Sequence, residues 1–420
     1  MSRRISGEKS LGLLLINPRI LLFIVLHIAF VLKSVGKHLW TLKESSSVYI
    51  LNIGGFGHTI SQAETYFAYI DPEGKVIALL TPGAHNLNIL SLYPGSYFVI
   101  NRTKFFSMID KKKERLVIQL SELVAIKILF FIRVFFLRLP KLYDWRSLVA
   151  LVPNERMGSH GRGILELFYN LYRDDKKNAL IARNHVNSDL YNLLVNDLKQ
   201  RFPKKRFCSF YFRSKGVEGS DHVDDYTRNS RSLMDFIPLF KHLEKEGFII
   251  LLYGDEPPAF KSQARSNGVI FYDDVNWEKN LWDLWVGGIG EFTLGSPGGG
   301  LLIPVIFGRK ILVVDGFGYW FGLPNAMHTY KLVFTANGQL LSPLTFIKLN
   351  PWQLNFSPGS SIEFLPIEVL QKVFSEFYTK LSTWPSTSTF NSEIHEDNWI
   401  SISPNAIVSE EYLSFVNSKL

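Results

Sequence analysis

The chain has 420 residues, 46% hydrophobic and 14% aromatic, with a formal net charge of +8 and one cysteine, Cys208. That length exceeds one ordinary core and suits two domains, and a lone cysteine excludes a disulfide framework and a cysteine-based metal centre. The basic balance suits an anionic membrane surface or a phosphorylated substrate; without a zinc finger, an RNA-recognition signature or a basic helix, no nucleic-acid partner is expected.

Residues 1–43 are basic and apolar, with runs Leu11–Ile16 and Ile20–Leu32 split by Asn17-Pro18-Arg19. The break leaves the longer run short of the roughly 20 apolar residues that a spanning helix needs. Arg3, Arg4 and Lys9 precede it and Lys33, Lys37 and Lys43 follow it, so charge sets no orientation, and no small-residue cleavage site ends it. The expectation is a membrane-associating segment, peripheral or monotopic, at the cytoplasmic face of the inner (plasma) membrane. The competing reading is a helix packed on the first domain.

Residues 44–200 read as a Rossmann-like domain. Val48–Ile53 is its first strand, Gly54-Gly55-Phe56-Gly57-His58 the turn into a helix over Thr59–Ile70, and Val76–Leu80 and Tyr97–Ile100 further strands. The glycine loop fails the dinucleotide fingerprint. Ile60 stands where the third glycine belongs, and the second strand ends in Leu80-Thr81-Pro82 rather than an acid. No nicotinamide cofactor is expected. Residues 120–139 form an amphipathic apolar helix with Lys127, Arg133 and Arg138 on its polar half, suited to lipid or to the sheet with its cations snorkelling.

Residues 201–385 repeat the alternation. Phe207–Phe212, Phe248–Asp255, Gly268–Tyr272, Gly290–Leu294 and Lys310–Asp315 are apolar strands separated by helices, one ending at Gly247 and one near Trp277–Val286. Such alternation predicts a parallel sheet covered on both faces, with ligands beyond the carboxyl ends of its strands. Those ends carry Arg213, Asp221, Arg228, Asn229, Asp255, Ser296 and the run Gly298-Gly299-Gly300. After Asp315 the pattern is less regular, up to a helix at Pro366–Leu381; residues 386–420 are a tail with a short closing helix.

Two βαβ domains facing one another across a cleft suggest a GT-B-like α/β fold and a glycosyltransferase. That chemistry needs positive charge for the leaving diphosphate, donors to fix it, and a base for the attacking hydroxyl. Arg213 and Arg228, the latter before a helix capped by Asn229 or Ser230, suit the diphosphate; the alternative is ion pairing with Asp221, Asp224 or Asp225. The loop Gly295–Gly300 presents backbone N–H groups and the Ser296 hydroxyl, or is a tight packing turn. Asp255 suits a sugar or ribose hydroxyl, or caps a helix. His58 or Glu64 is the candidate base; His160 and His222 are weaker candidates. No cluster has metal-site spacing, so the expected chemistry needs no metal and no cofactor beyond the nucleotide-sugar substrate.

At these residues the chain resembles a group of bacterial glycosyltransferases associated with surface polysaccharides. The likeness runs through Phe56-Gly57-His58 with Glu64, Arg213, Asp221-His222, Tyr226-Thr227-Arg228-Asn229-Ser230, Phe236-Ile237-Pro238, Tyr253-Gly254-Asp255, Gly295-Ser296-Pro297-Gly298-Gly299 and Pro304–Gly308. It covers most of residues 205–335 and thinly 48–70, and departs at Gly298–Gly300, where serine is usual. The resemblance implies transfer of a sugar from a nucleotide-sugar donor to a lipid-linked or cell-surface polysaccharide acceptor. The rival functions are a nucleotide-sugar epimerase of the same design and a catalytically silent membrane scaffold for polysaccharide assembly.

Overall fold

The computed structural model of the protein describes residues 18–42, 44–53, 56–80, 89, 92, 97–101, 121, 123–133, 139–144, 147–148, 168, 189–213, 231–255, 258–316, 322–342, 361–384 and 406–420. The chain forms two compact units, one of Met1–Gly55 with Tyr66–Leu148 and one of Phe56–Thr65 with Val149–Leu420. Each is α/β and built on a parallel sheet.

The first unit contains α1 (Pro18–Thr41), β1 (Ser47–Ile53), β2 (Lys75–Leu80), β3 (Tyr97–Asn101) and β4 (Lys141–Tyr143); α2 (Phe56–Tyr69) follows β1. The sheet order is β3-β2-β1-β4 and every pairing is parallel. Strands buried on both faces must be apolar throughout, and Val48, Tyr49, Leu51, Ile77, Ala78 and Leu79 are fully buried. At the amino end of β1, Ser47 Oγ contacts Tyr66 Oη at 2.6 Å and donates to Asp71 at 2.6 Å, which ties α2 to the following turn.

α1 departs from the sequence expectation. It is one helix of 24 residues, with Pro18 at the first position that tolerates proline. It does not stop at Leu32. Val31, Val35, Leu39 and Leu42 pack in one core with Val48 and Ile50 of β1, Ile77 and Leu79 of β2, and Ala125, Ile126 and Leu129 of the helical residues 123–133. Lys33 and Lys37 interrupt the apolar run but fall on the exposed face. One face of α1 is thus a core face, the reading that run length had placed second. By length and composition alone, residues 20–41 are long and apolar enough to cross a membrane.

In the second unit, α3 (Asp189–Arg201) precedes β5 (Arg206–Phe212), α4 (Ile237–Lys245), β6 (Phe248–Gly254), β7 (Val269–Ile270), α5 (Lys279–Ile289), β8 (Phe292–Gly295), α6 (Leu302–Ile306) and β9 (Lys310–Gly316). Then come β10 (Ala326–Tyr330), the antiparallel pair β11 (Leu332–Phe334) and β12 (Ser361–Glu363), α7 (Ile367–Lys380), β13 (Ile407–Val408) and α8 (Glu410–Asn417). The large sheet is parallel throughout, in the order β13-β10-β9-β8-β5-β6-β7. Its winding runs outward from β5 to β7, then returns to β8 on the other side and runs out to β13. The strand order therefore reverses between β5 and β8, and ligands of doubly wound sheets bind in the crevice at such a reversal.

Four sequence expectations are corrected here. The sheet does not end at β9. The two further strands escaped notice because His328 and Thr329 put polar residues inside the fully buried β10 and because β13 has two residues. The helical region before β6 is capped by Ser232, not Asn229 or Ser230: Ser232 Oγ accepts the Met234 N–H at 3.2 Å and opens a 3-10 turn into α4. Pro366 is the N-cap of α7 rather than its first residue. The helix read near Trp277 begins two residues later, at Lys279. Gly247 does end α4, with φ +86°. Cys208 is fully buried in β5, and burial pushes its thiol pKa far up.

Candidate functional site

At the β5/β8 reversal, Tyr211 of β5 stands beside Gly295 of β8, and Phe212 stands beside Gly254 of β6. The chain leaves these strands at Arg213, Ser296 and Asp255. Ser296 N–H donates to the Tyr211 carbonyl at 3.1 Å, and Asp255 N–H donates to the Phe212 carbonyl at 2.9 Å. The last two carbonyls of β5 thus hold the first residues beyond both neighbouring strands, with Arg213 following directly. At one strand spacing each, Ser296 and Asp255 flank β5 across about 10 Å. Ser296 is buried, Arg213 half-buried and Asp255 exposed. The Tyr211 hydroxyl has its pKa raised mainly by burial; Arg213 pulls it down and Asp255 pushes it up, so both charges act on this ring.

The turn at Gly254 has φ +94°, and a Cβ there would meet the Phe212 carbonyl oxygen. α5 grips the same turn. Lys279 Nζ donates to the Gly254 carbonyl at 2.6 Å and to the Asp283 carboxylate at 2.9 Å, and Asp283 accepts the Gly254 N–H at 3.2 Å. Lys279 and Asp283 were not among the sequence candidates. Their i,i+4 spacing at the start of a helix was the available signal.

The glycine loop is shaped by one ring. A Cβ on Gly295 would lie 2.7 Å from Tyr211 Cβ, one on Gly298 2.7 Å from Tyr211 Oη, and one on Gly300 2.7 Å from Tyr211 Cδ2. The Tyr253 ring lies tilted beside it, centroids 5.2 Å apart, and its hydroxyl donates to the Gly300 carbonyl at 3.2 Å. Packing alone therefore accounts for these three glycines. The Ser296 N–H is taken up by the Tyr211 carbonyl of β5, and the Leu301 N–H by the Gly298 carbonyl within the turn at 3.1 Å. α6 has five residues, too short for much of a dipole. The other donors of the loop are the Ser296 hydroxyl and the amides of Gly298–Gly300.

A second charged cluster lies at the carboxyl end of β9. Arg231 Nε and Nη2 donate to the two Asp315 oxygens at 2.7 and 2.8 Å, and Nη2 also donates to the Leu365 carbonyl at 2.7 Å. Both side chains are 4% exposed. Leu365 N–H donates to Asp315 at 3.2 Å. The Arg231 guanidinium lies over Phe236 and Phe364, and Lys331 Nζ lies 5.3 Å from the Phe364 centroid. Burial, aided by Arg231, pushes Lys331 down to about 8 against the pull of Asp315. The partners lie 84 residues apart, so the chain order gave no signal for them.

The structure places Arg213, Asp255 and Ser296 at the carboxyl ends of three adjacent strands, with Gly298 and Gly299 in the loop that follows Ser296. Glu64 is fully buried in α2. Gly57 and His58 lie in the first turn of that helix, and all three belong to the stretch grouped with the second unit. Gly54, Gly55, Asp221, Arg228 and Asn229 lie outside the described residues, as do His160 and His222. Among the described residues, no group of three or more His, Cys, Asp or Glu side chains is placed to hold a metal ion.

No protein-family model and no curated protein matches the chain. Solved structures of glycosyltransferases do. One is a glycosyl transferase family 9 protein from Veillonella parvula, 9% identical, with a TM-score of 0.46 over 80% of this chain and 98% of that one. Another is ADP-heptose LPS heptosyltransferase II from E. coli, 12% identical, with a TM-score of 0.42 over 80% of this chain and 99% of that one. A third is E. coli heptosyltransferase WaaC with ADP, 12% identical, with a TM-score of 0.39 over 79% of this chain and 99% of that one. Likeness at this level carries no residue role across. The site is argued from its own geometry.

Proposed function

We propose that the chain is a glycosyltransferase that moves a sugar from a nucleotide-sugar donor to a lipid-linked or cell-surface polysaccharide acceptor. The observation that carries this reading is the convergence of Arg213, Asp255 and Ser296 beyond three adjacent strands at the reversal of a doubly wound sheet. In the reaction the bond between the sugar's anomeric carbon and the diphosphate oxygen breaks, and a bond to the acceptor oxygen forms. Negative charge builds on the leaving diphosphate. The Arg213 guanidinium, with Arg228 from the same connection, answers it; the Ser296 hydroxyl and the Gly298–Gly299 amides add neutral donors. Asp255 accepts from a ribose or sugar hydroxyl, and His58 takes the acceptor proton, Glu64 being fully buried.

The test is thermal unfolding of the detergent-purified chain with ADP, UDP, GDP or CDP. A ligand at 100 times its Kd adds about 2.7 kcal/mol to the native state. One diphosphate is expected to raise the Tm of the wild type, and Arg213→Ala is expected to lose that shift while melting near the wild-type temperature without ligand. A wild type that melts cooperatively and responds to none of the four would overturn the reading.

A further inference from the structure

α1 carries a second face that its core packing leaves outward. Leu21, Leu22, Val25 and Leu26 are 49, 60, 55 and 50% exposed. Lys33, Lys37 and Trp40 continue the same helical stripe, all exposed. At 100° per residue, Leu22, Leu26, Lys33, Lys37 and Trp40 fall within a narrow arc. The stripe therefore changes along its length: apolar over about 8 Å, then cationic with a terminal indole. Residues 123–133 pack beside α1, with Ser121 Oγ 2.6 Å from His27 Nδ1, and themselves expose Lys127 and Phe131. Singly exposed aliphatics are ordinary, but four on adjacent turns form a patch.

We propose that this face docks the first unit on an anionic lipid bilayer, with α1 entering obliquely. Leu21, Leu22, Val25 and Leu26 reach the acyl boundary, Lys33 and Lys37 meet headgroup phosphates, and Trp40 lies at the polar end. An anionic bilayer fits better than a protein partner because apolar side chains, lysines and a tryptophan follow one another along a single stripe, as interfacial helices arrange them. α1 does not cross the bilayer in this arrangement, since Val31, Val35 and Leu39 bind its other face to the sheet.

The test is co-sedimentation of the full chain with phosphatidylcholine vesicles, with and without one-third phosphatidylglycerol. The wild type is expected to pellet with the anionic vesicles only. A lysine near an anionic surface is worth about 1 kcal/mol, or about fivefold in partitioning. Lys33→Gln with Lys37→Gln should therefore weaken binding about 25-fold, and Leu22→Glu with Leu26→Glu should abolish it, both with unchanged near-ultraviolet circular dichroism. Equal pelleting with neutral vesicles, or undiminished pelleting of the Leu22→Glu, Leu26→Glu chain, overturns the proposal. So does light scattering that shows these substitutions splitting a dimer without changing vesicle binding, because the face would then belong to a second copy.

Discussion

Gly300→Ala tests whether the loop beyond β8 is shaped by packing. The new methyl would sit 2.7 Å from Tyr211 Cδ2 and 2.8 Å from its Cζ, well inside contact distance. The Tyr211 ring is boxed in by Tyr253 and the neighbouring glycines, so it cannot swing aside. Overpacking of a filled core costs about 1–3 kcal/mol. For a unit of this size that lowers the Tm by roughly 2–12 °C. Tyr211→Ala alone removes a buried aromatic and should cost about 3–5 kcal/mol. Combined, the two should cost less than their sum, since the methyl then occupies part of the vacated volume; the coupling should be about 1–3 kcal/mol in the favourable direction. Urea unfolding followed by tryptophan fluorescence supplies the four free energies of the cycle. Strict additivity, or a Gly300→Ala chain as stable as the wild type, would refute the packing account and return the glycines to the ligand.

Arg231→Met leaves the Asp315 carboxylate buried without its guanidinium partner and should cost about 3–5 kcal/mol, part of it regained when Asp315→Asn removes the charge while suiting the left-handed backbone at φ +54°; chemical denaturation of the three variants measures both. Lys331 contributes a pH dependence of defined sign. Its folded pKa of about 8 lies below the 10.5 of an ordinary lysine, so the unfolded chain binds more protons between those values and stability rises with pH there. From pH 8 to 9.5 the gain is about 1.5 kcal/mol, and Lys331→Met should remove it from the urea midpoint. Above pH 10 the sign turns. Burial raises the Tyr66, Tyr330 and Tyr412 hydroxyls, so the unfolded chain deprotonates first and stability falls.

Much of the fold was legible because a two-sided parallel sheet demands unbroken apolar strands, and Phe207–Phe212 and Phe248–Tyr253 are such runs with glycine at or near their ends. The strand ends named Arg213, Asp255 and Ser296 for the same reason. β10 was not legible, because His328 and Thr329 are polar residues in a strand buried along its whole length, Thr329 being hydrogen-bonded to Val313 and Asp315 of β9, and a periodicity argument reads only hydrophobicity. α1 misled by its count of consecutive apolar residues. What decides core against lipid is which arc the lysines occupy, and Lys33 and Lys37 share the arc opposite Val31, Val35 and Leu39. The glycine loop matched a binding pattern that a single ring, Tyr211, also explains. What a Cβ would strike depends on a ring more than eighty residues away in the chain. The Arg231–Asp315 pair and the Lys279 clamp on Gly254 join residues that sequence order keeps apart.

The lone thiol gives the second sheet an internal clock. Cys208 sits fully buried in β5, the strand on which Ser296 and Asp255 hang, and the chain has no other cysteine. A sealed, protonated thiol reacts with a maleimide only when its strand opens. Labelling kinetics on the unaltered chain therefore report the opening of this one strand, with no engineered probe and no competing site. A molecule bound at the crevice slows that reaction by the stability it adds, whether or not it is ever turned over.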